Sequence, residues 1–254
     1  MPLSDLLKRV SARPRASTAR RRWLRRSLRH LLKGPAHLID MRIVDRVGFE
    51  SMRGGDFAHV IDVGVADGTF DLYARFPGAF LELFEPDPRY YAGIDAAVLT
   101  KRKGRLHRVA LGNARGITTL YLSGPTGSSL YPMRGETATV ATPIVRLDQC
   151  IERRAILQPC LLKIDTEGHE LAILEGATGL LDLIEAVVVE IHFDKPHCYP
   201  PAAPVRFLNE RGFEIVDVLD SHIRHGHFIC ADFVFTRNPS EYRTSAPVRR
   251  SPNG

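Results

Sequence analysis

The chain lacks paired cysteines. Its four, Cys150, Cys160, Cys198 and Cys230, are scattered over 254 residues with no Cys-x-x-Cys spacing. That pattern argues against a zinc site and a disulfide framework alike, and the cysteines read as reduced, mostly structural thiols. Also missing is any stretch near the roughly 18 to 20 apolar residues that a membrane-spanning helix needs, and the N-terminus shows no apolar core of the secretory type. The expectation is a cytoplasmic protein. Acids are scarce at one end: residues 1–35 hold eleven Lys and Arg against Asp5 alone. Of the net charge of +6, the arm therefore carries +10 and the body −4. Attraction to polyanions would come through the arm and not through the surface of the body.

Within the arm, Trp23, Leu24, Leu28, Leu31 and Leu32 recur at near-helical spacing among arginines. The spacing predicts an amphipathic helix over residues 17–33, stopped by Gly34 and Pro35. A solvated or packed segment is the plain reading; weak peripheral contact with anionic membrane is the sharper one.

The body has ordinary globular composition, 44% hydrophobic and 25% charged, and one domain over 36–237 is expected. Short apolar runs alternate with helical stretches from His59 onward, the pattern of β-α-β units around a parallel sheet. Strands are predicted over 59–63, 79–84, 105–111, 159–164 and 186–191, with helices over 69–76, 89–99 and 169–174. The stretch 117–146, rich in Thr, Tyr, Val and Gly, reads as an insertion of extra strands. A helix running to Arg211 and two strands, 213–219 and 228–235, complete the domain. The tail 238–254, rich in Pro, Ser and Arg, is expected to be disordered.

Chemistry concentrates in a few segments. Val60-Ile61-Asp62-Val63-Gly64-Val65-Ala66-Asp67-Gly68 is a strand ending in a glycine-bearing turn, where absent Cβ atoms let a ligand approach the backbone and a helix N-terminus follows. About 20 residues on, a second apolar strand ends in Glu85, where a doubly wound fold places the acid that accepts hydrogen bonds from ribose hydroxyls. NAD satisfies both features, although the third glycine of the full dinucleotide fingerprint is missing. Asp165-Thr166-Glu167-Gly168-His169-Glu170 puts three carboxylates and an imidazole just past another apolar strand, at the edge where open α/β sheets bind ligands. Glu190 and His192 end the next strand on one side of it. Each has a plainer reading: Asp165 or Thr166 as a helix cap, Glu170 as a favourable charge at a helix start, His169 as a structural histidine. His222, His225 and His227 fall in an expected loop without a carboxylate pattern, so no metal ligands are assigned.

Taken in order, several blocks together resemble the FkbM family of S-adenosylmethionine-dependent methyltransferases. They are Ile61-Asp62-Val63-Gly64 with Gly68, Phe84-Glu85-Pro86-Asp87-Pro88, Val109-Ala110-Leu111-Gly112-Asn113, Gly127-Ser128-Ser129-Leu130, Thr142-Pro143-Ile144-Val145-Arg146-Leu147-Asp148, Leu162-Lys163-Ile164-Asp165-Thr166-Glu167-Gly168-His169-Glu170, and Glu190. The resemblance implies an α/β, Rossmann-like class I methyltransferase fold with a seven-stranded, mostly parallel sheet whose last strand is antiparallel, plus the small β insertion. It also implies S-adenosylmethionine as the cofactor. Carried over by position, Asp62 and Gly64 belong to the methionine end, Glu85 to the ribose, and Ala110 and Leu111 to the adenine, with Gly68 also among the cofactor-binding residues. Val65-Ala66 departs from the family's common Ala-Asn, which weakens the methionine-end assignment. Asp165, Glu167, His169, Glu190 and His192 are the candidate catalytic residues. The implied activity is O-methylation of a sugar, glycolipid, polysaccharide or natural product. Alternatives are an RNA or protein methyltransferase guided by the arm, disfavoured by the acidic body, and a non-catalytic cofactor-binding module.

Overall fold

Strand after strand of this chain is buried along its whole length, which is what a parallel sheet covered by helices on both faces requires. In the computed structural model, residues 48, 49, 52, 55–123, 127–132, 138–194 and 198–244 are described. The basic arm with its expected helix over 17–33 lies outside them, as does 245–254. The strands are β1 (His59–Val63), β2 (Phe80–Phe84), β3 (Gly104–His107), β4 (Ala110–Leu111), β5 (Gly116–Ser123), β6 (Gly127–Ser129), β7 (Ala138–Val145), β8 (Cys160–Ile164), β9 (Ala186–His192), β10 (Glu214–Arg224) and β11 (His227–Thr236). The α-helices are α1 (Phe70–Arg75), α2 (Tyr91–Ile94), α3 (Leu147–Cys150), α4 (Glu170–Gly176), α5 (Ala202–Asn209) and α6 (Pro239–Thr244).

Seven strands form one sheet in the order β10-β11-β9-β8-β1-β2-β3. All neighbours are parallel except β11, which runs antiparallel to both β9 and β10. This is the Rossmann-like, mostly parallel seven-stranded sheet with an antiparallel last strand that the resemblance implies. On one face Ile61, Val63, Leu162, Ile164, Val187 and Val189 pack against Ile173 and Leu174 of α4 and Leu208 of α5. On the other, Val60, Leu81, Leu83, Leu161 and Val188 pack against Leu72 and Tyr73 of α1.

Three expectations are corrected. The strand expected over 105–111 divides: β3 closes the main sheet at its edge, and the chain beyond it finds backbone partners in β7, Ala110 opposite Ile144 and Leu111 opposite Val145. The insertion is accordingly a separate four-stranded sheet, β4-β7-β5-β6. The last two strands run longer than expected and meet in a two-residue turn at His225 and Gly226, both with positive φ, the backbone of a tight hairpin. His222 and His227 therefore lie within strands, not in a loop.

The tail is the third. Residues 239–244 form α6, and Tyr242 is 5% exposed in the core. Its hydroxyl donates to Asp217 Oδ2 at 3.2 Å, and Asn238 Nδ2 donates to Glu185 Oε1 at 2.8 Å. One buried aromatic anchors a segment whose composition alone reads as disordered. Among the described residues no helix is long and apolar enough to cross a membrane, and none of the four cysteines is in a disulfide.

Tyr242→Ala is expected to lower unfolding free energy by about 2 to 4 kcal/mol, the scale for emptying a buried aromatic site. Tyr242→Phe, which loses only a hydrogen bond, should cost about 1 kcal/mol. Urea denaturation reads both, and an unshifted midpoint for the alanine variant would show that α6 is not anchored as described.

Candidate active site

Two strand-end turns meet at the carboxyl edge of the sheet. After β1 the chain enters Gly64 with φ +81°, and a Cβ there would stand 1.8 Å from the backbone oxygen of Asp165. Glycine is required because the turn after β8 occupies that space. The expectation that the missing Cβ leaves room for a ligand is corrected at this position, since its effect is to let the two turns touch. Gly64 N–H donates to Phe84 O at 3.0 Å, and Asp165 N–H to Val63 O at 3.0 Å, so the ends of β1, β2 and β8 are tied together. Gly68, at φ +110°, is crowded by the Phe70 ring.

Ala66 also has a positive φ, 47°, which for a residue with a Cβ is sustained by its surroundings. Its N–H donates to Glu85 Oε2 at 2.6 Å, while Asp87 N–H donates to Glu85 Oε1 at 2.8 Å. Glu85 is 3% exposed. Burial pushes its carboxyl up to about 7, the two amides pulling against that and the Asp87 and Asp62 charges adding to it. Each oxygen keeps acceptor capacity beyond these bonds. Asp87 pairs with Arg89, whose Nη2 reaches Asp87 Oδ2 at 2.6 Å and Gly127 O of β6 at 2.9 Å.

The face of the sheet that carries Val60, Leu161 and Val188 turns polar toward the same edge. Two residues along each strand from those apolar positions stand Asp62, Lys163 and Glu190, followed by Asp165 and His192. Asp62 is fully buried, accepts from Tyr73 Oη at 2.6 Å and faces Lys163 Nζ at 3.4 Å. Its expected place at the methionine end is thus beneath the turn, where Tyr73 and Lys163 take its oxygens. Lys163 also donates to Asp165 Oδ2 at 3.1 Å. Burial works against its ammonium, but the Asp165 and Asp62 charges outweigh that and raise its pKa. Asp165 is the open member, its side chain 38% exposed.

Beyond Asp165, His192 Nε2 lies 2.9 Å from Glu190 Oε2, and Cys230 Sγ donates to Glu190 Oε1 at 3.2 Å. Burial raises the Glu190 carboxyl to about 7, with the Asp165 charge adding to it and His192 opposing. Cys230 and Asp232 come from β11, in register with His192 and Glu190.

The turn after β8 is braced from behind. Glu170 is fully buried, and its Oε1 accepts from Thr166 N–H at 3.1 Å, Thr166 Oγ1 at 3.2 Å and Gly168 N–H at 3.0 Å. Its other oxygen accepts from Tyr199 Oη. The bracing holds Glu167 at φ +59° on the exposed apex. His169 turns away from Glu190 toward the small sheet, with Nδ1 3.3 Å from Tyr131 Oη. Burial lowers its pKa, with the Glu170 and Glu175 charges opposing. Ser129 of β6 donates to Glu167 O at 3.4 Å. The small sheet thus touches both lips of the cleft, through Arg89 on one side and Ser129 on the other.

Of the expected site residues, Asp62, Gly64, Glu85, Asp165, Glu190 and His192 gather at one edge. Glu167 and His169 flank that group, Leu111 packs into the core, and Ala110 is buried in β4. Lys163, Cys230 and Asp232 escaped the reading of the sequence, and Glu170, read there as a favourable charge at a helix start, is the buried brace of the turn. Lys163 had a signal, an ionisable residue inside the apolar run Leu161-Leu162-Lys163-Ile164.

Residues 62–215 match the methyltransferase FkbM domain. The chain is 31% identical over 176 residues to 31-O-demethyl-FK506 methyltransferase FkbM of Streptomyces tacrolimicus, covering 56% of this chain and 67% of that protein. It is 42% identical over 45 residues to hexuronic acid methyltransferase AglP of Haloferax volcanii, 18% of this chain and 19% of the relative. Among solved structures it is similar to methyltransferase FkbM from Methylobacillus flagellatus KT, with a TM-score of 0.45 and 15% identity, covering 71% of this chain but less than half, 44%, of that one.

The raised Glu85 carboxyl has a consequence for stability. Its pKa in the folded chain is about 7 against an ordinary 4.5, so its contribution is fully present below about pH 4.5 and is lost as pH rises through about 7. The loss is on the order of 3 kcal/mol. Glu85→Gln should flatten the decline of unfolding free energy between about pH 5 and about pH 8. An equally steep decline in the variant would mean that Glu85 is not the group responsible.

Proposed function

Because the chain belongs to the FkbM family of methyltransferases, we propose that it transfers a methyl group from S-adenosylmethionine to a hydroxyl of a sugar, glycolipid, polysaccharide or other natural product. The observation that carries this reading is the contact of the Gly64 turn with Asp165, because it sets a nucleoside-type turn directly beside a partly exposed carboxylate of the polar edge.

The residues present suit the cofactor. Glu85 ends β2 with desolvated acceptor oxygens suited to ribose hydroxyls, and the Gly64 to Gly68 turn leads from β1 into α1. When bound, S-adenosylmethionine supplies an electrophilic methyl group on a sulfonium. The protein must then hold the acceptor oxygen in line with it and take the hydroxyl proton. We assign that proton to Asp165, since its side chain is 38% exposed where those of Lys163, His192 and Glu190 are 4%, 5% and 13%. The Lys163 ammonium, 3.1 Å away, holds Asp165 aimed, and Glu190 and His192 form the buried wall behind it. Ser129 and Tyr131, which reach the turn after β8 from the small sheet, stand on the acceptor side.

The exposed carboxylate of the edge is Asp165, and its charge repels an anionic acceptor. An uncharged hydroxyl compound therefore suits it better than a uronate or an RNA phosphodiester.

Isothermal titration is expected to show S-adenosylmethionine binding to the wild-type protein and none of NAD; absence of S-adenosylmethionine binding refutes the proposal. Asp165→Asn should lower turnover about 10²- to 10⁴-fold, the range for a positioned proton acceptor, while cofactor affinity changes little. Equal losses in turnover and affinity would make Asp165 a cofactor contact instead.

A further inference from the structure

We infer that Glu190, His192 and Cys230 form a binding site for one divalent cation of the zinc class. One ligand atom from each lies within 4.8 Å of the others. The site exists because of strand register: β9 runs antiparallel to β11 with His192 opposite Cys230, and Glu190 lies two residues from His192 on the same side. Cysteine spacing along the chain is silent about such a site, because its ligands come from strands 38 residues apart at the register position His192 and Cys230.

The chemistry of the donors selects the ion. Thiolate, imidazole and carboxylate are the three ligand types of zinc, whereas magnesium and calcium take oxygen sets. A tetrahedral zinc with ordinary bond lengths holds its ligand atoms about 3.2 to 3.7 Å apart. His192 Nε2 lies 2.9 Å from Glu190 Oε2 and Cys230 Sγ 3.2 Å from the other oxygen, Oε1, so one carboxylate faces both the imidazole and the thiol, and one ligand atom from each residue falls within 4.8 Å of the others. Three protein ligands leave a fourth position for water or another oxygen.

Two observations outside the triad point the same way. His192 Nδ1, on the far side of the ring, lies 3.8 Å from Asp194 Oδ1, beyond a hydrogen bond but placing a carboxylate behind the imidazole, where an outer partner of a metal-bound histidine stands. Asp232 stands opposite Glu190 in register and adds a further carboxyl beside the triad.

The site does not depend on the methyl-transfer reading, and the test separates the two. Full-length protein stripped with a chelator is titrated with Co²⁺, then with Zn²⁺. The expected result is one equivalent of Co²⁺ with a thiolate-to-cobalt charge-transfer band, displaced by Zn²⁺. Cys230→Ser should abolish the band and weaken Zn²⁺ binding by more than about 100-fold, and Asp194→Asn should weaken it by about 10-fold, the lower end for an outer partner. Cys150→Ser should leave both unchanged. Glu85→Ala should lose S-adenosylmethionine affinity and keep the cobalt band, which keeps failure of the metal site distinct from failure of the cofactor site. No charge-transfer band in the folded wild-type protein, or Zn²⁺ binding indifferent to Cys230→Ser, overturns the proposal.

Discussion

The Lys163 ammonium, buried between Asp62 and Asp165, is the interaction on which the site depends. An isolated charge at that depth is costly, and its two carboxylates make it tolerable. Removing it leaves Asp62 fully buried with only the Tyr73 hydroxyl for company and frees Asp165 from the direction it now holds. Tyr73 belongs to α1, so the same group reaches from the middle of the sheet to the helix that follows the Gly64 turn. In the packed core beneath, Val60 and Leu161 hold the backbone of β1 and β8 at a register that sets Asp62 opposite Lys163. The ion pair is thus placed by apolar burial and in turn places Asp165.

Polarity on this face begins where the strands approach their carboxyl ends. Helices cover both sides of a doubly wound sheet, so the carboxyl edge is where ligands reach it. Val60 gives way to Asp62, Leu161 to Lys163 and Val188 to Glu190, which trades core for chemistry within two residues. The antiparallel β11 enters from the opposite direction, so its early residues Cys230 and Asp232 share the edge with the late residues of β9. An antiparallel last strand therefore adds ligands that a wholly parallel sheet would contribute from different positions.

Much of this was legible in the sequence, for a physical reason. β1, β2, β8 and β9 are buried on both faces and read as apolar runs, and the acids Glu85, Asp165 and Glu190 mark where those runs end. What could not be read was long-range. Register between β9 and β11 decides that Cys230 meets Glu190, and nothing local encodes it. Tyr242 turns a polar tail into a helix through one contact with a distant core. The reason for Gly64 was misread because a backbone 101 residues away in sequence, that of Asp165, fills the space its Cβ would take. Leu111, placed near the adenine by the resemblance, has a side chain that packs in the core where β4 leaves for the small sheet.

Glu85 and Glu170 do the same work at two strand ends. Each is a buried carboxylate whose oxygens gather backbone amides of a turn: those of Ala66 and Asp87 in one case, those of Thr166 and Gly168 in the other. Each turn contains a residue other than glycine at positive φ, Ala66 and Glu167, a conformation that costs of order 1 to 3 kcal/mol unless its surroundings over-determine it. Each carboxyl accepts two amides of its turn, and these hydrogen bonds offset that strain. Because the two braced turns touch through Gly64 and the Asp165 carbonyl, stiffness in one is passed to the other. The lips of the cleft are therefore set before any ligand arrives, and an in-line transfer, which tolerates little error in the placement of its reacting atoms, needs that preorganisation.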